Sequence, residues 1–148
     1  MYNLLRNVKI TRIKVDGAGS ASATPTKCDI IDMAGYESVM FFAAMGNVLD
    51  TSAVALKVAG ATTNSSGAMA LLAGSAGGTA SATSYDDKIV ALDVVKPTYQ
   101  FLEAQIFHVT ADAPFDGIFA IQYNSHSLPI TQGSTVVASS TIYSPALA

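Results

Sequence analysis

Tryptophan is absent from this sequence, cysteine occurs once and histidine twice, and charged residues make up only 13% of the chain. An ordinary soluble domain carries about 25% charged residues. Each shortage excludes something. A lone cysteine, Cys28, forms no disulfide within the chain, which fits synthesis in a reducing compartment. No histidine or other base lies near it in sequence, so it reads as a small buried hydrophobe rather than a nucleophile. The formal charge of -3 and a pI near 5.1 leave no basic stripe, so no nucleic-acid partner is expected. No apolar run approaches the ~20 residues of a membrane span, so no membrane partner is expected either. The opening "MYNLLRNVKITR" lacks an apolar core followed by a small-residue cleavage site, and no signal peptide is expected.

The chemistry of a catalytic site is equally sparse. His108 and His126 have no neighbours at zinc-ligand spacing, and His108 falls inside a predicted strand. The carboxylate pairs Asp86-Asp87 and Asp112…Asp116 stand in predicted turns, where side-chain bonds to the backbone account for them. A calcium-binding loop is the alternative reading. "GAGSAS" and "GSAGG" are glycine-rich but lack the Gly-Lys-Ser/Thr ending of a phosphate loop, and no serine sits in a nucleophile-elbow pattern. "NSS" at residues 64–66 matches a glycosylation acceptor, which has no meaning without secretion. The expectation is a protein that is not an enzyme and uses no cofactor or metal.

What the chain does contain is apolar and small. Half of it is hydrophobic. Two readings fit: a skin of hydroxyls in place of ions, or a surface hidden against other chains. The run at residues 39–45, "VMFFAAM", has no charged or polar side chain and lies between Gly35 and Gly46. It is too short for a comfortable helix, and its composition predicts a central strand buried on both faces. Met40, Phe42 and Ala44 fall on one side, and Val39, Phe41, Ala43 and Met45 on the other.

Other segments alternate with period two. In "VKITRIKV" Val8 and Ile10 share one parity and Ile13 and Val15 the other, so a bulge near Thr11–Arg12 is expected to bring all four to one face. "AGSASATPT" reads as a loop before the short strand "KCDIIDM". In "SAVALKVAG" Val54, Leu56 and Val58 point inward and Lys57 outward. Val90, Leu92 and Val94 share a face, and Lys96-Pro97 ends that strand. Leu102, Ala104, Ile106 and His108 form one side of the next, and Phe119, Ile121 and Tyr123 one side of the last. Short helical turns fit at residues 1–7 and 68–73. The sum is an all-β domain, a jelly-roll-like β-sandwich of about eight short antiparallel strands over residues 1–133.

Two segments stand apart. At residues 59–84, 22 of 26 positions are Ala, Gly, Ser or Thr. This predicts long loops around one short strand, "AMALLAG", which are either a flexible surface excursion or loops that order against a neighbour through Met69, Leu71 and Leu72. The tail at residues 134–148 has no charged side chain and carries Val136, Val137, Ile142 and Tyr143 at spacings suited to a neighbour's sheet edge. These seven are the candidate assembly contacts.

The order of the pieces resembles a family of small β-rich structural proteins from the head-gene modules of tailed bacteriophages. An aspartate-bearing strand runs into a Gly-Tyr strand, here at Asp32, Gly35 and Tyr36. A later step, here Asp93, Lys96, Pro97, Tyr99 and Leu102, precedes the penultimate strands. The likeness spans about residues 28–130. The chain departs from the pattern at Thr98 and Gln100, where a basic residue is usual. What the resemblance implies is a capsid decoration, or cement, protein. Such a protein is made in the host cytoplasm, binds the major capsid protein on the outer shell of the virion, bridges capsomers and forms a homo-oligomer, dimer or trimer. The alternative is a head-fibre or tail attachment protein with a receptor-binding β-sandwich.

Overall fold

The computed structural model describes residues 3–79 and 84–141. Nine strands follow one another: β1 (Lys9–Gly17), β2 (Ser22–Asp32), β3 (Tyr36–Met45), β4 (Ala53–Ala61), β5 (Ala70–Leu71), β6 (Ala76–Thr79), β7 (Ile89–Val95), β8 (Phe101–Val109) and β9 (Phe115–Ser125). The helical content among the described residues is two 3₁₀ turns, Leu4–Arg6 and Ser66–Ala68.

The pairing is nested. β1 pairs with β9, β2 with β8, β3 with β7, and β4 with both β5 and β6, always antiparallel. The chain is therefore one long hairpin whose tip lies just after β4. Rolling that hairpin up sets β3 against β9 and β4 against β8. Two sheets result, β1-β9-β3-β7 and β2-β8-β4-β5, with β6 also on β4. This is an antiparallel jelly roll of eight strand positions, the one opposite β4 being shared by β5 and β6.

The inner faces meet in a dry core. Val39, Phe41, Ala43 and Met45 of β3 and Ile118 and Ala120 of β9 face Val54, Leu56 and Val58 of β4 and Leu102, Ala104 and Ile106 of β8, all buried. The opposite side of β3 differs from the expected two-sided burial. Met40, Phe42 and Ala44 are only partly covered, because they lie on the outside of the sheet. The ring of Phe42 stacks on Phe119 at 5.1 Å between centroids.

The β2–β3 turn shows why Asp32, Gly35 and Tyr36 belong together. An Asp32 carboxylate oxygen accepts the Ala34 N–H at 2.8 Å, the Tyr36 N–H donates to the Met33 carbonyl at 2.9 Å, and Gly35 takes φ +86° at the third turn position. Only glycine adopts that angle at little cost. The second quoted step is also structural. Lys96 leaves β7 at φ +48° with its N–H on the Glu37 carbonyl. Tyr99 lies so close to Gly60 that a β-carbon there would stand 2.7 Å from the ring.

Three local expectations are corrected. The β1 bulge exists but sits between Arg12 and Lys14, one residue late: Ile10 lies outward and Ile13 inward by plain alternation, the bulge then keeps Val15 on the outer side, and Val8 is buried just ahead of the strand. Strand β2 begins at Ser22, not after Pro25, because register shifts between Ser22 and Thr26 carry the proline within the strand. The small-residue stretch holds more strand than the one short strand expected. Ala59–Ala61 finish β4, buried, and β5 and β6 are two separate strands. Residues 80–83 of that stretch lie outside the described residues.

Truncation should separate the two faces of β3. Phe41→Ala, in the core, is expected to cost about 3–5 kcal/mol. Phe42→Ala should cost less, losing partial burial and a ring stack of about 0.5–1.5 kcal/mol. Urea unfolding of both variants checks this, and equal losses would place Phe42 in the core. Cys28 offers a second test. Burial pushes its thiol from 9.0 up to about 12. The folded state holds the proton more tightly, so this stabilisation is complete below about pH 9 and is lost as pH climbs towards 12. Native protein at pH 8 is expected to leave a thiol reagent unconsumed until denaturant is added. Rapid native labelling would contradict the burial.

Candidate functional site

Strand register lays out the outer face of the β1-β9-β3-β7 sheet as a grid. The rows, read across the strands, are Tyr123, Ser38 and Val95; Ile10, Ile121, Met40 and Asp93; Arg12, Phe119, Phe42 and Ala91; and Val15, Gly117, Ala44 and Ile89. Nearly every position is apolar. The four bulky side chains Ile121, Met40, Phe119 and Phe42 meet at its centre. Val15, Ile89 and Val95 at the margins are 58%, 66% and 64% exposed. No loop among the described residues covers this face.

The grid carries two charges, Arg12 on β1 and Asp93 on β7, at opposite edges of the sheet. Neither has an ion-pair partner among the described residues. The Arg12 guanidinium donates to the Asp116 carbonyl at 3.4 Å. Asp93 accepts the Tyr123 hydroxyl at 2.8 Å. Burial first, and then that bond to Asp93, push the Tyr123 phenol up, so it remains a neutral donor.

The other sheet is partly covered on its outside. On β8 the outward Glu103 and Gln105 are 1% and 5% exposed. The Glu103 carboxylate accepts the Ser66 hydroxyl at 2.8 Å and the Gln105 amide at 2.6 Å, with the Lys27 ammonium 3.8 Å away. Lys27 also donates to the Ser66 hydroxyl at 3.1 Å. This network pins the turn Ser66–Ala68 over the sheet. Beside it lies an open hollow of roughly 390 Å³ lined by Ala53, Ala55, Gly77, Gly78, Val109 and Phe107, with Lys57 over the Phe107 ring at 4.9 Å.

The seven sequence-derived contact residues fall in two places. Leu71, in β5, is 51% exposed, Met69 is partly buried, and Leu72 packs against the core with its N–H on the Val58 carbonyl. Val136 is partly buried and Val137 is 98% exposed. Ile142 and Tyr143 lie outside the described residues. The structure does not bring the two groups together: β5 is the edge strand beyond β4, whereas the tail follows β1. There the Gln132 side chain accepts the Ile10 N–H at 2.9 Å and donates to the Leu5 and Val8 carbonyls, and the Thr135 hydroxyl takes the Arg12 N–H at 3.3 Å. Thr141 donates to the Asn3 side chain at 3.0 Å. The tail as far as Thr141 thus meets the chain's own N-terminal strand and turn.

Sequence reasoning took Met40, Phe42 and Ala44 of β3 as buried and did not join them to residues of β1, β7 and β9 as one surface. The signal was present in the apolar alternation on both parities of β3 and β9. Of the polar candidates, His108 is buried in the core with Nε2 bonded to the Thr26 hydroxyl at 2.8 Å, while Nδ1 has no partner among the described residues. Asp86 and Asp112 accept the backbone N–H groups of Val48 and Ala21. No group of three or more His, Cys, Asp or Glu among the described residues could hold a metal.

No family model matches the chain, and no curated protein matches it. Among solved structures, it is similar to a chain in the structure of infectious bursal disease virus, Gx strain, with a TM-score of 0.50 and 14% identity. The likeness covers 82% of this chain but 34% of that one, so this protein spans about a third of the viral chain's length. At that identity the likeness is one of fold: an all-β sandwich that also occurs in a virus particle.

Proposed function

We propose that this chain is a structural protein of a virion and acts as a capsid decoration, or cement, protein. In this reading it binds the major capsid protein on the outside of the shell, bridges capsomers, and works as a homo-oligomer rather than as an enzyme. The observation that carries the reading is a jelly roll with a broad, mostly apolar face left open on one sheet. Support also comes from the fold shared with a chain of a virus structure and from the resemblance to phage head proteins at Asp32, Gly35, Tyr36 and Asp93. Such a protein needs no active site. Each copy would bury modest area on several neighbours, and the contacts would sum through effective concentration.

Binding only to the intact lattice stabilises that lattice by mass action. Shells lacking the protein are therefore expected to assemble but to break at lower temperature. With few charges available, attachment should survive ~1 M salt, where the Debye length is about 3 Å. Co-sedimentation of purified protein with stripped shells at low and high salt tests this. No binding at either salt would sink the proposal, and binding to host cells instead would favour the attachment-protein reading. Removing residues 142–148 leaves every described tail contact in place. Weakened shell binding is expected if the end of the tail reaches a neighbour, and unchanged binding would exclude it.

A further inference from the structure

We infer that two copies of this chain pair face to face through the outer surface of the β1-β9-β3-β7 sheet, about a twofold axis parallel to the strands. The inference rests on the homo-oligomer part of the proposal above and does not need shell binding. Three observations support a second copy as the occupant.

The first is anatomy. The centre of the grid is Phe42, Phe119, Met40 and Ile121, with the two aromatic rings already stacked at 5.1 Å. The charges stand only on the edge strands. Apolar anchors at the centre and a polar rim are the distribution found in specific interfaces.

The second is charge. A twofold axis parallel to the strands lays β1 of one copy over β7 of the other. Arg12 then faces the strand that carries Asp93, one row away, within reach of an extended guanidinium. The symmetry makes the contact twice. A self-complementary face is what a twofold contact demands. The face also has no net charge of its own to repel its twin.

The third is area. Strands about 4.8 Å apart and alternate residues about 6.8 Å apart give the grid about 500 Å². Two copies therefore cover about 1,000 Å² together, the lower bound for a specific interface. The pair should be reversible and concentration-dependent.

Sedimentation velocity on the full chain over a range of concentrations tests this, with thermal unfolding as the check on folding. The wild type is expected to dimerise. Ala91→Lys, at an exposed position, should abolish the dimer without lowering the unfolding temperature. Arg12→Asp and Asp93→Arg should each weaken it about tenfold, and the double variant should restore it. A wild type that stays monomeric, a dimer indifferent to Ala91→Lys, or a double variant no better than the singles would each overturn the inference. If the wild type is monomeric while Ala91→Lys loses shell binding, the face belongs to the shell. If dimers form but never bind shells, the inference stands and the cement reading falls.

Discussion

The pairing of β1 with β9 is the constraint on which the rest depends. It joins Lys9 to Gln122 and Gly17 to Phe115 across most of the chain. Every inner pair of the nested hairpin, β2 with β8, β3 with β7 and β4 with its two short partners, is compatible with that closure and is shortened by it. Closing loops of this length is entropically costly before any contact forms. The recovery comes from the core that the closed sheets enclose, with Phe41, Leu56, Leu102, Ile106 and Ile118 all fully buried. The segment after β9 reinforces the closure. Gln132 binds the backbone on β1 as a missing strand would, accepting from Ile10 and donating to Val8. That treatment blunts an edge that would otherwise invite strand addition.

The two sheets manage their outer faces differently, and the difference gives the molecule a direction. On the β2-β8-β4 side, a buried carboxylate satisfied by Ser66 and Gln105 holds a small-residue turn down as a cover. A buried charge of this kind is tolerable only when its oxygens are fully bonded. On the β1-β9-β3-β7 side no cover exists among the described residues, and the side chains there are mostly isoleucine, valine, phenylalanine and methionine, with Arg12 and Asp93 on the edge strands. Solvating such a face is unfavourable in proportion to its apolar area. Part of the low charge content of the sequence is accounted for by this surface, while Leu4, Leu49, Leu71, Val109, Leu128 and Val137 are exposed elsewhere.

Several residues that stand out in the sequence turn out to serve the backbone. Asp32 and Gly35 make a turn, Asp86 and Asp112 bind loop N–H groups, and Tyr99 fills the space above Gly60. These are conformational duties within the fold. No ligand has to be invoked for any of them.

Period-two alternation and apolar composition by themselves determined that the chain is all-β, that residues 39–45 form a central strand, and which residues of β4 face inward. Those features follow from local geometry, since successive side chains leave a strand on opposite sides. What each face meets was not legible. Met40, Phe42 and Ala44 are as apolar as their inward neighbours, and they lie outside because no element among the described residues covers them. Bulges defeat local reasoning in the same way: a shift of one residue between Arg12 and Lys14 sends Val15 outward, where alternation from Ile13 would turn it inward. The grid itself joins Ile10, Met40, Asp93 and Ile121, which are far apart in the chain. Register across strands sets that juxtaposition. Register depends on how the whole hairpin closes, so only the tertiary structure decided which residues share the open face.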